Sequence, residues 1–366
     1  MLGIEDVEVG APGPGQVRMR NTAVAVNYRD ILMRRGVHAV KSLPSGIGLE
    51  SAGVIEAVGP EVEGFSVGDR VAFAGMPEGS YAELRIVPAA RLIALPAGID
   101  ERTAASMMIR GMTARSPAVH DAYKVQPGDT IVIHAAAGGV GLIMCQWAKH
   151  LGATVIGTVS SDDKAAVARA HGCDHAIVYT REDFAERVRE ITGGEGVPVV
   201  YDSVGKATFE GSLRCLRRAR RDGIVRRDRR AIPIRCRRDA WARWARSISP
   251  IRASRTTPSP APSCSPPRMI CSPMVASGKI KIEISKTYDL RDAPRAHADM
   301  EARQTTGSIV LGRVGSRGVL LAPQAQMASG APPKSSARST LTSTPKPFLS
   351  GSLFFSGSMR RFQISS

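Results

Sequence analysis

Residues 131–141, IVIHAAAGGVG, constrain this chain more than any other stretch. A short apolar run, Ile131–His134, leads into Ala135-x-x-Gly138-x-x-Gly141 and then into a helical apolar pattern over Leu142–Leu151. Glycine is needed there because the backbone must turn tightly and let a pyrophosphate approach the amides at the helix N-terminus. A lone glycine triplet marks only a tight turn; this one has a strand before it and a helix behind it. The alternation continues. Thr154–Val159 reads as a strand and Lys164–His171 as a helix behind Asp162 or Asp163 as N-cap. Ala176–Tyr179, Phe184–Ile191, Val199–Tyr201 and Phe209–Leu216 follow in the same rhythm. Strands alternating with helices predict an α/β fold, a doubly wound parallel sheet covered on both faces, with one more apolar strand expected after Leu216.

The second strand of such a Rossmann unit discriminates between NAD and NADP. An NAD site carries an acid at the strand's end, about 20 residues past the glycines, for the ribose hydroxyls. Here VIGTV is followed by Ser160, Ser161, Asp162, Asp163 and Lys164. Hydroxyls stand where the acid is expected, Lys164 suits a 2′-phosphate, and Asp162 is better placed to cap the next helix. NADP(H) is the expected cofactor. The N-terminal part differs in character: GLESAGVIEAVGPEVEGFSVGDRVAF recurs in short alternating runs, predicting a compact β-rich domain in which Gly68-Asp69-Arg70 is a turn.

The formal charge of +17 suggests nucleic acid until its distribution is considered. Residues 214–272 hold 17 Arg, no Lys and 3 Asp, and residues 313–366 hold 7 basic residues and no acid, so the rest of the chain carries a net −4. The strand expected after Leu216 is replaced by RRARRDGIVRRDRRAIPIRCRRDAWARWAR and then by a Pro/Ser stretch with seven prolines between Ser247 and Pro273. Two readings are open: a natural basic insertion, or a GC-rich stretch translated out of frame. Frame-shifted back-translation can supply a strand ending in a glycine turn and an N-capped helix leading into MVASG, which favours the second. Gly312–Ser366 is Ser/Pro/Ala-rich without sustained period and reads as a disordered or read-through tail. As a nucleic-acid-binding segment, 214–268 would give only salt-dependent, sequence-blind affinity, with Trp241 and Trp244 as its sole stacking candidates.

No run approaches the ~18 apolar residues of a membrane span, and Glu5, Asp6 and Glu8 stand where a signal peptide would be positive and then apolar. The six cysteines form no C-x-x-C pair, so a disulfide framework is not expected and a cytoplasmic setting is. Residues 1–144 contain no cysteine, and His38, His120 and His134 are isolated, so the expected metal content is none. Without a metal, chemistry is expected to reside in the nicotinamide.

NYRDILMRRG (27–36), LPSGIGLESAGVIEAVG (43–59), VGDRV (67–71), HAAAGGVGLIMCQWAKHLGATVIGTVSSDDK (134–164), VVYDSVG (199–205) and TTGSIVL (305–311) together resemble the zeta-crystallin-type NADPH:quinone oxidoreductases, zinc-free members of the medium-chain dehydrogenase/reductase superfamily. The resemblance covers about residues 4–213 and 274–311. It implies a GroES-like catalytic domain over 1–112 completed by 276–311, a Rossmann domain over 113–275, a cofactor between them, and a homodimer. Gly48-Leu49-Glu50 stands where zinc-dependent relatives have Gly-His-Glu. The resemblance also implies roles. Asn27 is the candidate catalytic residue, with Tyr28 beside it at the nicotinamide and Thr113 near the same end. Gly138, Gly139 and Val140 fall at the pyrophosphate turn, and Ser160, Lys164 and Tyr179 at the 2′-phosphate. Ser203 and Arg303 are further cofactor contacts. The chain departs from the family in beginning past its first strand and turn, in Leu32 and His38 where some members have tyrosines, in Ser116–Val119, and in 214–272. The implied activity is reduction of a quinone by NADPH, with an enoyl or 2-alkenal reductase as the near alternative and a non-enzymatic dinucleotide-binding protein as the remote one; neither nucleic acid nor membrane is an expected partner.

Overall fold

The computed structural model describes residues 2–38, 40, 42–115, 123–217, 272–312 and 358–364, all within one compact unit. In chain order the N-terminal part holds β1 (Leu2–Glu8), β2 (Gln16–Ala25), α1 (Tyr28–Arg34), β3 (Ser45–Gly46), β4 (Glu50–Val58), β5 (Arg70–Ala74), β6 (Leu84–Pro88), β7 (Leu92–Ala94) and α2 (Glu101–Arg115). The next part alternates: β8 (Thr130–Ile133), α3 (Gly139–His150), β9 (Thr154–Val159), α4 (Asp162–Ala170), β10 (His175–Val178), α5 (Phe184–Ile191), β11 (Val200–Tyr201) and α6 (Phe209–Cys215). The chain returns through α7 (Ser272–Ala276), β12 (Ile284–Asp289), α8 (Ala293–Glu301), β13 (Ser308–Gly312) and β14 (Ser358–Ile364).

The alternating part forms a parallel sheet in the order β10-β9-β8-β11. Ile131, Val132, Val155 and Ile156 are completely buried, as expected where helices cover both faces of a parallel sheet. One detail of the sequence reading is corrected: α4 is capped by Ser161, not by Asp162 or Asp163. The Ser161 hydroxyl accepts from the Lys164 amide at 3.4 Å, and the two acids occupy the first helical turn, where the helix dipole favours them.

The β-rich part is a mixed sheet ordered β12-β13-β2-β4-β5-β7, with β6 also pairing β2. Its long strand β2 pairs β4 with register shifts between Arg18 and Met19 and between Asn21 and Ala23, so Val17 and Met19 face one side and Ala23 and Ala25 lie in a different cluster. Gly53 permits this irregularity: a Cβ there would stand 1.8 Å from the Arg20 carbonyl oxygen. Helix α2 crosses the boundary expected at 112/113, burying Ala104, Ala105, Met107 and Met108 against the β-rich sheet.

Two expectations about the anomalous segments change at their edges. Arg214 and Cys215 complete α6, Leu216 bridges Val197, and Ser272 opens α7, so both ends of 214–272 are built into the fold. The strand expected after Leu216, the frame question, Ser116–Val119 and His120 lie outside the described residues. Within 312–366, expected as a disordered or read-through tail, residues 358–364 are ordered. Residues 358–364 form β14, which runs antiparallel to β1 over seven residue pairs from Leu2↔Ile364 to Glu8↔Ser358 and lies between β1 and β3. Composition misled because it averages over the segment, whereas a strand needs only one seven-residue stretch with a matching partner.

Candidate active site

Strand β8 delivers His134 and then a tight turn in which Ala135 adopts φ +52° and the Gly138 amide donates to the Ala135 carbonyl at 2.9 Å. Gly138 is the N-cap of α3, so the amides of the following turn point out of the helix without intrahelical partners. Val140 is half-buried. A Cβ on Gly141 would stand 2.3 Å from the Ala135 carbonyl oxygen, and one on Gly139 would stand 2.6 Å from Arg110 Nε and 2.9 Å from the Gly307 carbonyl oxygen. Gly307, just ahead of β13, donates its amide to the Ala137 carbonyl at 2.8 Å, stitching the return strand to the turn. Gly139→Val would drive a branched side chain between Arg110 and the amides, and NADPH affinity should fall about 100-fold, roughly 2.8 kcal/mol. Fluorescence titration of NADPH checks this.

On the other side of Arg110 stands Asn27, the N-cap of α1. Its Nδ2 donates to Glu50 Oε1 at 2.8 Å, and Arg110 Nη1 donates to the same oxygen at 2.9 Å. Glu50 Oε2 accepts from the Ile109 amide at 2.7 Å, and Arg110 Nη2 donates to the Val26 carbonyl at 2.5 Å. Glu50 is fully buried and Arg110 is 5% exposed. Burial pushes the Glu50 carboxyl above its ordinary range, while Arg110, the Ile109 amide and Asn27 pull it back. A polar chain thus runs from Asn27 through Glu50 to Arg110, whose side chain packs against Gly139 of the glycine turn.

A second buried chain supports the first. Asp30 Oδ2 accepts from the Asn27 amide at 2.8 Å and from the Tyr81 hydroxyl at 3.2 Å, and that hydroxyl lies 2.9 Å from His297 Nε2. Burial pushes Asp30 up to about 7 and His297 down to about 4. Asp30 Oδ1 has no hydrogen-bond partner among the described residues, in keeping with a carboxyl readily protonated near neutrality.

At the far end of β9, Lys164 Nζ donates to the Arg303 carbonyl at 2.6 Å, and Arg303 Nη1 donates to the Tyr179 hydroxyl at 3.4 Å. Arg303 holds φ +58°, a left-handed conformation that turns the chain here. Burial, and then the neighbouring Arg303 cation, lower the Lys164 pKa. Ser160 precedes the cap, and its carbonyl accepts from Thr180 Oγ1 at 3.3 Å. The acid at the tempting distance, Asp162, is held by both terminal nitrogens of Arg181, at 2.8 and 2.5 Å.

Among the remaining candidates, Tyr28 is 54% exposed at the start of α1. Thr113 turns its hydroxyl back onto the Ile109 carbonyl at 2.7 Å, leaving only its acceptor lone pairs. Ser203 is exposed in a turn held by Asp202 Oδ1, which accepts from the Val204 and Gly205 amides at 2.9 Å each. His134, read as an isolated packing residue, is a junction: its ring nitrogens lie 2.7 Å from Thr158 Oγ1 and 2.9 Å from Ser212 Oγ, and Ser212 Oγ donates to Asp202 Oδ2 at 2.8 Å. It ties β8, β9 and α6 together beneath the glycine turn. Arg110, Asp30, Tyr81 and His297 escaped sequence reasoning. The one available signal was a lone acid, Glu50, in the otherwise apolar GIGLESAGV, which calls for a buried partner.

Comparison with known proteins settles the family. Residues 13–97 match the alcohol dehydrogenase GroES-like domain and residues 139–222 the zinc-binding dehydrogenase domain. A 2-haloacrylate reductase from a Burkholderia species is 45% identical over 318 residues, covering 84% of this chain and 93% of the relative. A quinone oxidoreductase of Pseudomonas aeruginosa is 42% identical over 319 residues, covering 85% and 95%. The chain belongs to the quinone oxidoreductase family of medium-chain dehydrogenases/reductases. The solved structure of the Escherichia coli quinone oxidoreductase complexed with NADPH superposes with a TM-score of 0.69 at 34% identity, covering 84% of this chain and 95% of that one. The GroES-like domain and Rossmann sheet expected from sequence are therefore the fold of this quinone oxidoreductase family member.

Proposed function

We propose that this chain is an NADPH-dependent quinone reductase that works without a metal. One observation carries the reading: the buried Arg110 guanidinium joins Asn27 and Glu50 on one side to the glycine turn at Gly139 on the other. The amides following Gly138 suit the pyrophosphate, and Lys164 and Arg303 supply two adjacent cations for a 2′-phosphate, with Tyr179 and Ser160 beside them. Tyr28 and Thr113 flank the nicotinamide end, and Ser203 is a further cofactor contact. NADPH, when bound, would supply the hydride, and solvent the proton, for reducing a quinone to its hydroquinone. Asn27 acts on the substrate: with one Nδ2 hydrogen held by Glu50, the amide plane is fixed and the second Nδ2 hydrogen is left to donate. A fixed amide hydrogen can stabilise charge developing on a quinone oxygen without reorganising.

Zinc, which the name of the second matched domain implies, does not suit these residues. Glu50, in the place of a zinc-site motif, is committed to three hydrogen bonds, residues 1–144 lack cysteine, and the described residues contain no cluster of three His, Cys, Asp or Glu. A homodimer and a cytoplasmic setting complete the proposal; they rest on the family likeness and the absence of paired cysteine motifs. No helix among the described residues is long and apolar enough to cross a membrane.

Steady-state NADPH oxidation with 1,4-benzoquinone, 9,10-phenanthrenequinone and a 2-enal tests the activity. Turnover with the quinones is the expected result. Turnover with the 2-enal alone would replace this reading by the alkenal-reductase one, which the 45% identity to a 2-haloacrylate reductase makes the second choice. In Lys164→Ala/Arg303→Ala, kcat/KM for NADPH should fall about 10- to 100-fold, since charged hydrogen bonds contribute roughly 1.5–3 kcal/mol. The value for NADH should stay unchanged, and the ratio of the two is the measurement.

A further inference from the structure

The strand between β1 and β3 comes from the opposite end of the sequence, and nothing in the catalytic reading above uses it. Strand β14 is not a loosely adhering tail. The Phe362 amide donates to the Tyr81 carbonyl at 2.8 Å, Arg361 bridges Ala82, and Arg361 Nε pairs with Glu5 Oε1 at 2.5 Å. The Phe362 ring is 2% exposed in a cluster with Val26, Met33, Ile47 and Tyr81. On its other edge β14 pairs Gln363 with Gly46 and Ile364 with Ser45, immediately before the stretch Ile47–Leu49 that leads to Glu50.

We propose that residues 358–364 are a positioning element for the catalytic asparagine, acting through Tyr81 and Asp30. The path is short. Phe362 fixes the Tyr81 backbone and packs in the same cluster, the Tyr81 hydroxyl holds Asp30, and Asp30 holds the Asn27 amide at the start of α1. Through β3 the same strand steadies the approach to Glu50, the acceptor that orients the Asn27 side chain. Removing β14 leaves β1 and β3 without the strand between them and opens one wall of the Tyr81 cluster, while the Rossmann sheet and the Lys164–Arg303 pair are untouched. The register adds a structural corollary. Ile364 lies opposite Leu2 in an antiparallel pair, the geometry of a hairpin opened at its turn, so two- or three-residue connections can close it. The strand therefore needs only to be present at this position; where it is encoded is immaterial.

The inference rests on the proposed role of Asn27, so its test has one readout independent of activity. Three proteins are compared: the full chain, the chain ending at Gly357, and a chain in which residues 358–366 are moved ahead of Met1 and 313–357 are removed. Hydrogen exchange should show the amides of residues 2–8 that face β14 protected in the full and relocated chains and open in the truncated one. Quinone kcat should fall about 10- to 100-fold on truncation, as for a misplaced catalytic group, and return on relocation, with the NADPH dissociation constant the same in all three. Phe362→Leu should keep activity and Phe362→Asp should lose it as truncation does. Equal exchange protection in the full and truncated chains would overturn the docking of β14. Open amides with an unchanged kcat would overturn its positioning role. Failure of the full chain to reduce any quinone, with the exchange pattern as stated, would refute the function and with it the positioning role, leaving only the strand's docking.

Discussion

Arg110→Met will destabilise the protein by about 3–5 kcal/mol, because it leaves the Glu50 carboxylate buried without its counter-charge. Methionine fills the aliphatic space of the arginine stem but returns none of the hydrogen bonds to Glu50 Oε1 and the Val26 carbonyl. Adding Glu50→Gln should recover part of the loss, since it removes the buried charge, while its single amide oxygen can accept from either Asn27 Nδ2 or the Ile109 amide but not from both. Urea denaturation of both variants is the measurement. A single variant that loses less than about 1 kcal/mol would mean that Glu50 does not depend on Arg110.

A pH dependence of similar size should originate at Asp30. Its folded pKa, pushed up to about 7, lies above the unfolded value near 3.8. Between these values the folded protein binds the extra proton, so raising the pH from about 4 to 7 costs stability. For a shift of about three units the full cost is roughly 4 kcal/mol, complete above about pH 7. Of the groups around it, the Glu50 charge adds to the upward push of burial, while the Tyr81 hydrogen bond and the Arg110 cation oppose it; His297 lies beyond the Tyr81 hydroxyl. The acids held low, Asp174, Asp183, Asp202 and Asp299, act in the opposite sense: their stabilisation is present above the unfolded carboxylate pKa and lost as the pH falls below it. They cancel when Asp30→Asn is compared with the parent chain. The difference in unfolding free energy should shift in favour of the asparagine variant as the pH rises from 4 to 8; parallel profiles would contradict the assignment.

The glycine turn and the strand–helix alternation were legible because local chemistry dictates them. A turn with Gly138, Gly139 and Gly141 between an apolar strand and a helix admits few structures, and Thr154–Val159 and Phe184–Ile191 carry their periods in full. The cap of α4 falls one or two residues before the expected Asp162 or Asp163 because Ser161, Asp162 and Asp163 are all good N-caps, and only the backbone angle at Ser161 separates them. The Asn27–Glu50–Arg110 chain was illegible for a different reason. Its members are 23 and 60 residues apart, and nothing in α2 distinguishes Arg110 from a solvated arginine until the helix is laid across β4. Strand β14 lies further still from its partner, with Glu5 and Arg361 separated by 356 positions; no window on the sequence connects them.

The central claim is that NADPH, held between the glycine turn and Asn27, reduces a quinone without a metal. Its most direct test is stopped-flow oxidation of NADPH bound to EDTA-dialysed protein, started by adding 9,10-phenanthrenequinone. One NADPH should be consumed per quinone, at a rate unaffected by the chelator and reduced by Asn27→Ala. Bound NADPH that no quinone oxidises, or a rate that vanishes with EDTA and returns with zinc, would contradict the account.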